Sequence, residues 1–131
     1  MITIATLEKA TEQQVFDQMA VHMLTQNQRS FMDDNETCAY RNGHELMCPA
    51  GCLFSDEEYK KIKPDDRGTW RTLVENELVP SYHCALISDV QSIHDQHEPH
   101  EWLTRLQGVI QRYGFSRDAI RPWLKGARHE G

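Results

Sequence analysis

Thr37-Cys38-Ala39-Tyr40-Arg41-Asn42-Gly43-His44-Glu45-Leu46-Met47-Cys48 is the stretch on which the fold class turns. Asn-Gly between two short runs is a strong hairpin signal, because both central residues of a type I′ turn need positive φ. With Asn42 and Gly43 at the turn, Arg41 would face His44, Tyr40 would face Glu45, Ala39 would face Leu46, and Cys38 would face Met47. The expectation is a small β-hairpin over about 37–48 in an otherwise helical chain, an α+β arrangement.

Outward from this stretch, helical signals dominate. Val15, Met19, His22 and Met23 recur at helical spacing, with Leu7, Phe16 and Leu24 beside them, which predicts a helix from about Thr6 to Gln26 capped by Thr6 or Thr11. Ser55 followed by Glu58 is a capping box, and a short helix to about Ile62 follows it. Thr69 to about Leu78 predicts another, burying Trp70, Leu73 and Val74. Pro80 suits the first turn of a helix reaching about His97, with Cys84, Ile87, Val90 and Ile93 or His94 as its apolar stripe, widened by Leu86. Pro99 opens the next helix, with Trp102, Leu103, Leu106, Val109 and Ile110 inward and Gly114 as its C-terminal cap. A basic last helix is expected over about 116–125, limited by Pro122. The chain of 131 residues reads as a single compact domain, mainly α with one small hairpin.

Composition narrows the function classes. Hydrophobic residues make up 39% and charged residues 26%, which suits a globular domain and argues against wholesale disorder. No apolar run has the length of a membrane span, and the first residues lack the basic and apolar regions of a secretory signal, so a cytoplasmic setting is expected. The net charge of −6 weighs against direct nucleic-acid binding. Residues 105–131 hold six basic and two acidic groups, while residues 1–104 hold eight basic and eighteen acidic groups. An acidic body with a basic end suits a protein partner offering a basic surface, or self-association into a homo-oligomer. Asp33, Asp34 and Glu36 before the hairpin and Asp56, Glu57 and Glu58 after it are the candidate acidic binding face.

Two clusters could carry chemistry. Cys38, Cys48 and Cys52, with His94, form a candidate metal set: Cys48 and Cys52 have three residues between them, an acceptable zinc-ligand spacing, although the second ligand pair is not defined. The competing reading makes the cysteines reduced, small core residues. No cofactor is expected on that reading, and zinc is the alternative for the set. His94-Asp95 resembles the metal-binding His-Asp pair of phosphohydrolases, which would need an earlier histidine such as His22 and a later aspartate, for which only Asp118 lies far enough downstream. The competing reading makes His94 a core histidine with a hydrogen-bonded partner. The chain has neither a Gly-rich phosphate loop nor a Gly-x-Ser-x-Gly elbow, and no catalytic residue is assigned.

Cys38-Ala39-Tyr40-Arg41, Cys48-Pro49-Ala50-Gly51-Cys52-Leu53, Leu86-Ile87-Ser88-Asp89-Val90-Gln91-Ser92-Ile93-His94-Asp95 and Trp102-Leu103 together resemble a set of small uncharacterised proteins of bacteriophages and bacteria. Their shared look is a Cys-x-Tyr hairpin, a Cys-x-x-Gly turn and a Leu-Gln-x-x-His-Asp helix, with Val90 here at the leucine position. The resemblance spans about residues 13–110. It implies a phage or prophage setting and no activity. By analogy with small acidic phage proteins, the function expected is non-enzymatic: an interaction module that inhibits or modulates a host or defence protein, of the anti-CRISPR kind. The alternatives are a metal-dependent hydrolase using His94 and Asp95, and a zinc-stabilised binding module.

Overall fold

The computed structural model describes residues 1–32 and 37–124. After a 3₁₀ turn at Leu7–Lys9, five α-helices follow: α1 Glu12–Gln26, α2 Asp56–Ile62, α3 Trp70–Glu75, α4 Cys84–Gln96 and α5 Pro99–Tyr113. Short 3₁₀ turns stand at Gly51–Leu53, Pro64–Asp66 and Asp118–Ile120, and residues 121–124 are helical. Of the expected basic helix, Lys125 lies outside the described residues. Helix α4 packs against α1, α3 and α5, and α1 also touches α5. Phe16, Met19, Leu53, Phe54, Trp70, Leu86, Ile87, Trp102 and Leu106 are fully buried among them.

Local chemistry sets the helix ends. The Thr11 hydroxyl accepts the Gln14 N–H at 3.1 Å while the Gln14 side chain accepts the Thr11 N–H at 2.9 Å, so α1 starts at Glu12 and not at Thr6. Ser55 and Glu58 make the same reciprocal pair for α2, and Glu98 and Glu101 make it for α5. Gly114 ends α5 with φ of 74°. Helix α4 starts four residues later than Pro80 suggests, because His83 sits in the left-handed region at φ of 63°, its Nε2 2.9 Å from the Ala10 carbonyl.

The β-hairpin does not form, and the domain is helical with no sheet among the described residues. Only two isolated antiparallel bridges occur, Phe31 with Cys38 and Arg41 with Met47. The Asn42 side chain explains the loss of the tight turn. Its Oδ1 accepts the N–H groups of both His44, at 2.8 Å, and Leu46, at 3.0 Å, so the chain wraps around Asn42 in a wider loop. Positive φ falls on Glu45, at 66°, and not on Gly43. Tyr40 consequently offers its carbonyl to the Cys48 N–H at 3.1 Å, three positions away from the tight-turn register. The Tyr40 N–H goes to Asp65 Oδ1 at 2.6 Å, and the Ala39 N–H to the Ser30 carbonyl at 2.9 Å. The backbone of this segment is thus satisfied from three directions, with no ladder to extend.

The indispensable glycine is Gly51. A Cβ there would lie 2.0 Å from the Tyr40 carbonyl oxygen, whereas a Cβ on Gly43 would meet nothing within 4 Å. Gly51→Ala is therefore expected to destabilise the domain by about 3 kcal/mol, because backbone must move to admit the methyl. Gly43→Ala should change stability by less than about 0.5 kcal/mol. Thermal unfolding of the two variants side by side checks the pair, and an equal loss in both would contradict this packing.

Candidate functional site

The last turn of α4 brings the sequence-distant candidates together. His94 is buried and stacks on Trp102, ring centroids 5.6 Å apart. Its Nε2 accepts the backbone N–H of Ser30 at 3.0 Å, so that nitrogen carries no proton. The ring proton accordingly sits on Nδ1, which donates to Asp95 Oδ1 at 2.9 Å. Asp95 Oδ1 also accepts from Gln91 Nε2 at 2.8 Å. Arg29 closes the arrangement from the neighbouring segment. Its guanidinium donates to the carbonyls of His94, at 3.3 Å, and Asp95, at 2.6 Å, and pairs with Glu98 at 3.3 Å. A cation on the last carbonyls of a helix is the favoured sign there.

Cys38 joins this group from the other side. One ligand atom each from Cys38, His94 and Asp95 lie within 4.8 Å of one another. Burial first, and then the Asp95 carboxylate, push the Cys38 thiol up to about 12. Cys48 falls outside that 4.8 Å set but lines the same hollow as Cys38 and Asp95, and Cys52 lies with it in the buried Pro49 turn. The Cys48 Sγ accepts the Gly51 N–H at 3.2 Å, and the Cys52 thiol donates to the Pro49 carbonyl at 3.0 Å. Burial raises both, Cys52 to about 12. Cys84 is half-buried at the start of α4, and all four cysteines are free thiols.

The geometry limits what the cluster can do. A metal needs a bare nitrogen on His94, but Nε2 faces an N–H donor and Nδ1 holds the proton shared with Asp95. Moving that proton to Nε2 would set two donors against each other at Ser30. Cys38 and Asp95 then remain, fewer than the four ligands of a structural zinc. A cysteine nucleophile with a histidine base fails for the same reason, and a thiol raised to about 12 supplies almost no thiolate at neutral pH. His22 directs Nε2 at the Met47 carbonyl, 2.8 Å away, and burial holds it below the ordinary histidine value. Asp118 pairs with Arg121 at 2.5 Å. Neither belongs to the Cys38–His94–Asp95 group.

Of the acidic face, Asp33, Asp34 and Glu36 lie outside the described residues. Asp56 pairs with Arg41 at 2.6 Å, and Glu58 caps α2 and accepts the Ala5 N–H at 3.2 Å. Glu57 is exposed on the first turn of α2. Sequence reasoning gives no site role to Arg29, Ser30, Gln91, Asp65 or Trp70, reading Trp70 as a core residue only. Only Gln91 carried a local signal, one helical turn before Asp95. No family model, curated protein or solved structure matches the chain.

Raised thiols make stability depend on alkaline pH. An unfolded cysteine ionises near 9.0, and Cys52 in the fold only near 12. The unfolded chain therefore loses its proton first, and this contribution, complete below pH 9, is lost between pH 9 and 12. Cys52→Ala should flatten that part of the stability profile. The Asp95 carboxylate opposes ionisation of Cys38, so Asp95→Asn should speed modification of that thiol by iodoacetamide at pH 8, measured by peptide mass. Unchanged reactivity would show that the carboxylate does not govern it.

Proposed function

We propose that this chain is a non-enzymatic interaction domain that acts by binding a protein. One observation carries the reading: both ring nitrogens of His94 are committed within the fold, to Ser30 and Asp95, so the best catalytic candidate is occupied in holding a surface segment in place. That segment builds a groove. Asn27, Gln28, Arg29, Phe31 and Met32, with Asn42, His44 and Leu46 of the Asn42-centred loop and Glu98 and Pro99, line an open groove of about 640 Å³. Arg29 lies over the Phe31 ring at 4.9 Å, within that lining. Met32 is an exposed apolar side chain lining the groove. Among the described residues no helix is long and apolar enough to cross a membrane.

An acidic body favours a partner with a basic surface, reached through Asp33, Asp34, Glu36, Asp56, Glu57 and Glu58. Such attraction mainly raises association rate and weakens with salt. The further step to an inhibitor or modulator of a host or defence protein is supported by the phage resemblance alone.

His94→Ala separates this reading from the hydrolase. On the binding reading it leaves the Ser30 N–H and the Asp95 carboxylate without their partner and costs about 1–3 kcal/mol of stability. No hydrolytic turnover should appear in the wild type with added manganese, magnesium or zinc. A divalent-dependent hydrolysis that His94→Ala abolishes while the melting temperature stays unchanged would overturn the proposal.

A further inference from the structure

The N-terminal segment, α2 and the link between α3 and α4 meet around an open groove of about 470 Å³. Its apolar lining is Ile4, Ile62, Leu78 and Pro80. All four are half-buried, and the first three also pack against the core. Four charged side chains complete the lining, Glu58 and Glu77 of one sign and Lys61 and Arg67 of the other. None of the four forms an ion pair among the described residues. Glu58 is engaged by neutral donors, the Ser55 and Ala5 N–H groups, while Lys61, Arg67 and Glu77 are exposed.

Two further observations fall on the same face. Met1, Met32 and Tyr82 are the exposed large hydrophobic side chains among the described residues. Two of them flank this groove in the chain, Met1 three residues before Ile4 and Tyr82 two beyond Pro80, Tyr82 being 46% exposed. Exposed apolar surface gathered at one place, with charge around it, marks an interaction site. Glu77, for its part, holds φ of 59° just beyond α3, where glycine or asparagine is favoured. Its side chain makes no hydrogen bond or ion pair among the described residues that would offset this strain.

We infer that this face is the contact between two copies of the chain, related by a two-fold axis beside the groove, with Tyr82 of each copy entering the groove of the other. Two features select a second copy over a foreign chain. The face carries a knob as well as a hole, and a two-fold axis satisfies both at once and closes the assembly at two. It also carries two charges of each sign, so the same axis sets Glu58 and Glu77 of one copy toward Lys61 and Arg67 of the other, and the reverse. A face of one sign would repel its copy. An aromatic ring seated among apolar side chains inside a charged rim is the common anatomy of a specific interface. This face shares no residue with the groove beside the Asn42-centred loop, so the inference does not rest on the binding reading above.

Sedimentation velocity of the full chain over a concentration series tests it. A two-chain particle should form with half-dimerisation below about 500 µM, and added salt should weaken it. Glu77→Lys makes the charged lining mostly positive, and Lys61→Glu with Arg67→Glu makes it wholly negative. Each should weaken dimerisation at least about tenfold, and an equimolar mixture of the two should recover it, because each copy then offers the charges the other lacks. Tyr82→Ser should also weaken it at least about tenfold. All the altered side chains are exposed, so circular dichroism should show the fold unchanged. A chain that stays monomeric to about 500 µM overturns the inference without any variant. So does a dimer that all the variants leave intact, which would lie on another face. Mass that grows beyond two copies overturns it as well, because the contact would then run head to tail. Failure of the mixture to recover what each variant loses would remove the two-fold charge pairing and the inference with it. None of these outcomes touches the binding-domain reading, which falls only on hydrolytic turnover.

Discussion

The hydrogen bond from the Ser30 N–H to His94 Nε2 is the buried contact that ties the 29–32 segment to the end of α4. Ser30 and His94 are 64 residues apart, and the bond is buried. It fixes the tautomer, and the tautomer directs the other ring proton to Asp95. Asp95 is thereby oriented for Gln91, and Arg29, next to Ser30, reaches the carbonyls at the end of α4. This backbone donor, with Arg29 and Gln91, thus helps set where the 29–32 segment lies, what the α4 terminus binds, and how the Asp95 carboxylate is held. Ser30 repeats the tie with its side chain, donating to the Leu46 carbonyl at 3.2 Å, so the Asn42-centred loop is held by the same residue.

A second constraint is steric. Residues 37–48 cannot rely on sheet hydrogen bonds, and their position depends on how closely they lie against the Pro49–Leu53 turn. Gly51 admits the Tyr40 backbone where no side chain fits. Tyr40 then packs edge-on against Phe54, its hydroxyl donating to the Gly68 carbonyl at 2.8 Å, and Phe54 meets Trp70. The aromatic cluster and the glycine contact replace the ladder that a hairpin would have supplied, and they leave the hollow between Tyr40, Trp70 and Asp95 as the space the irregular chain does not fill.

The electrostatics follow from that placement. Burying thiols and phenols near carboxylates keeps them neutral, which stabilises a reduced, uncharged interior but withholds nucleophiles. The same carboxylates lack cations of their own among the described residues. A chain that is acidic through its first 104 residues thus concentrates part of that charge in a recess walled by aromatic residues.

The sequence by itself determined the helices and most of their ends, because caps are local: Thr11 with Gln14, Ser55 with Glu58 and Gly114 each act within a few residues. It also determined most of the buried faces, since the periodic positions Val15, Met19, Ile87, Val90, Trp102 and Leu106 lie inside, while Val74, Cys84 and Leu103, also read as inward, are only partly buried. The Asn42-Gly43 pair was readable only as a loop, not as a type of loop, because Asn42 can accept N–H groups two and four residues ahead as readily as it can enter a tight turn. What only the tertiary structure decided is the path of residues 27–48 and the role of His94. A histidine on an apolar stripe looks the same in sequence whether its nitrogens are free or taken. The donor that takes Nε2 comes from a segment 64 residues away, which no local pattern encodes.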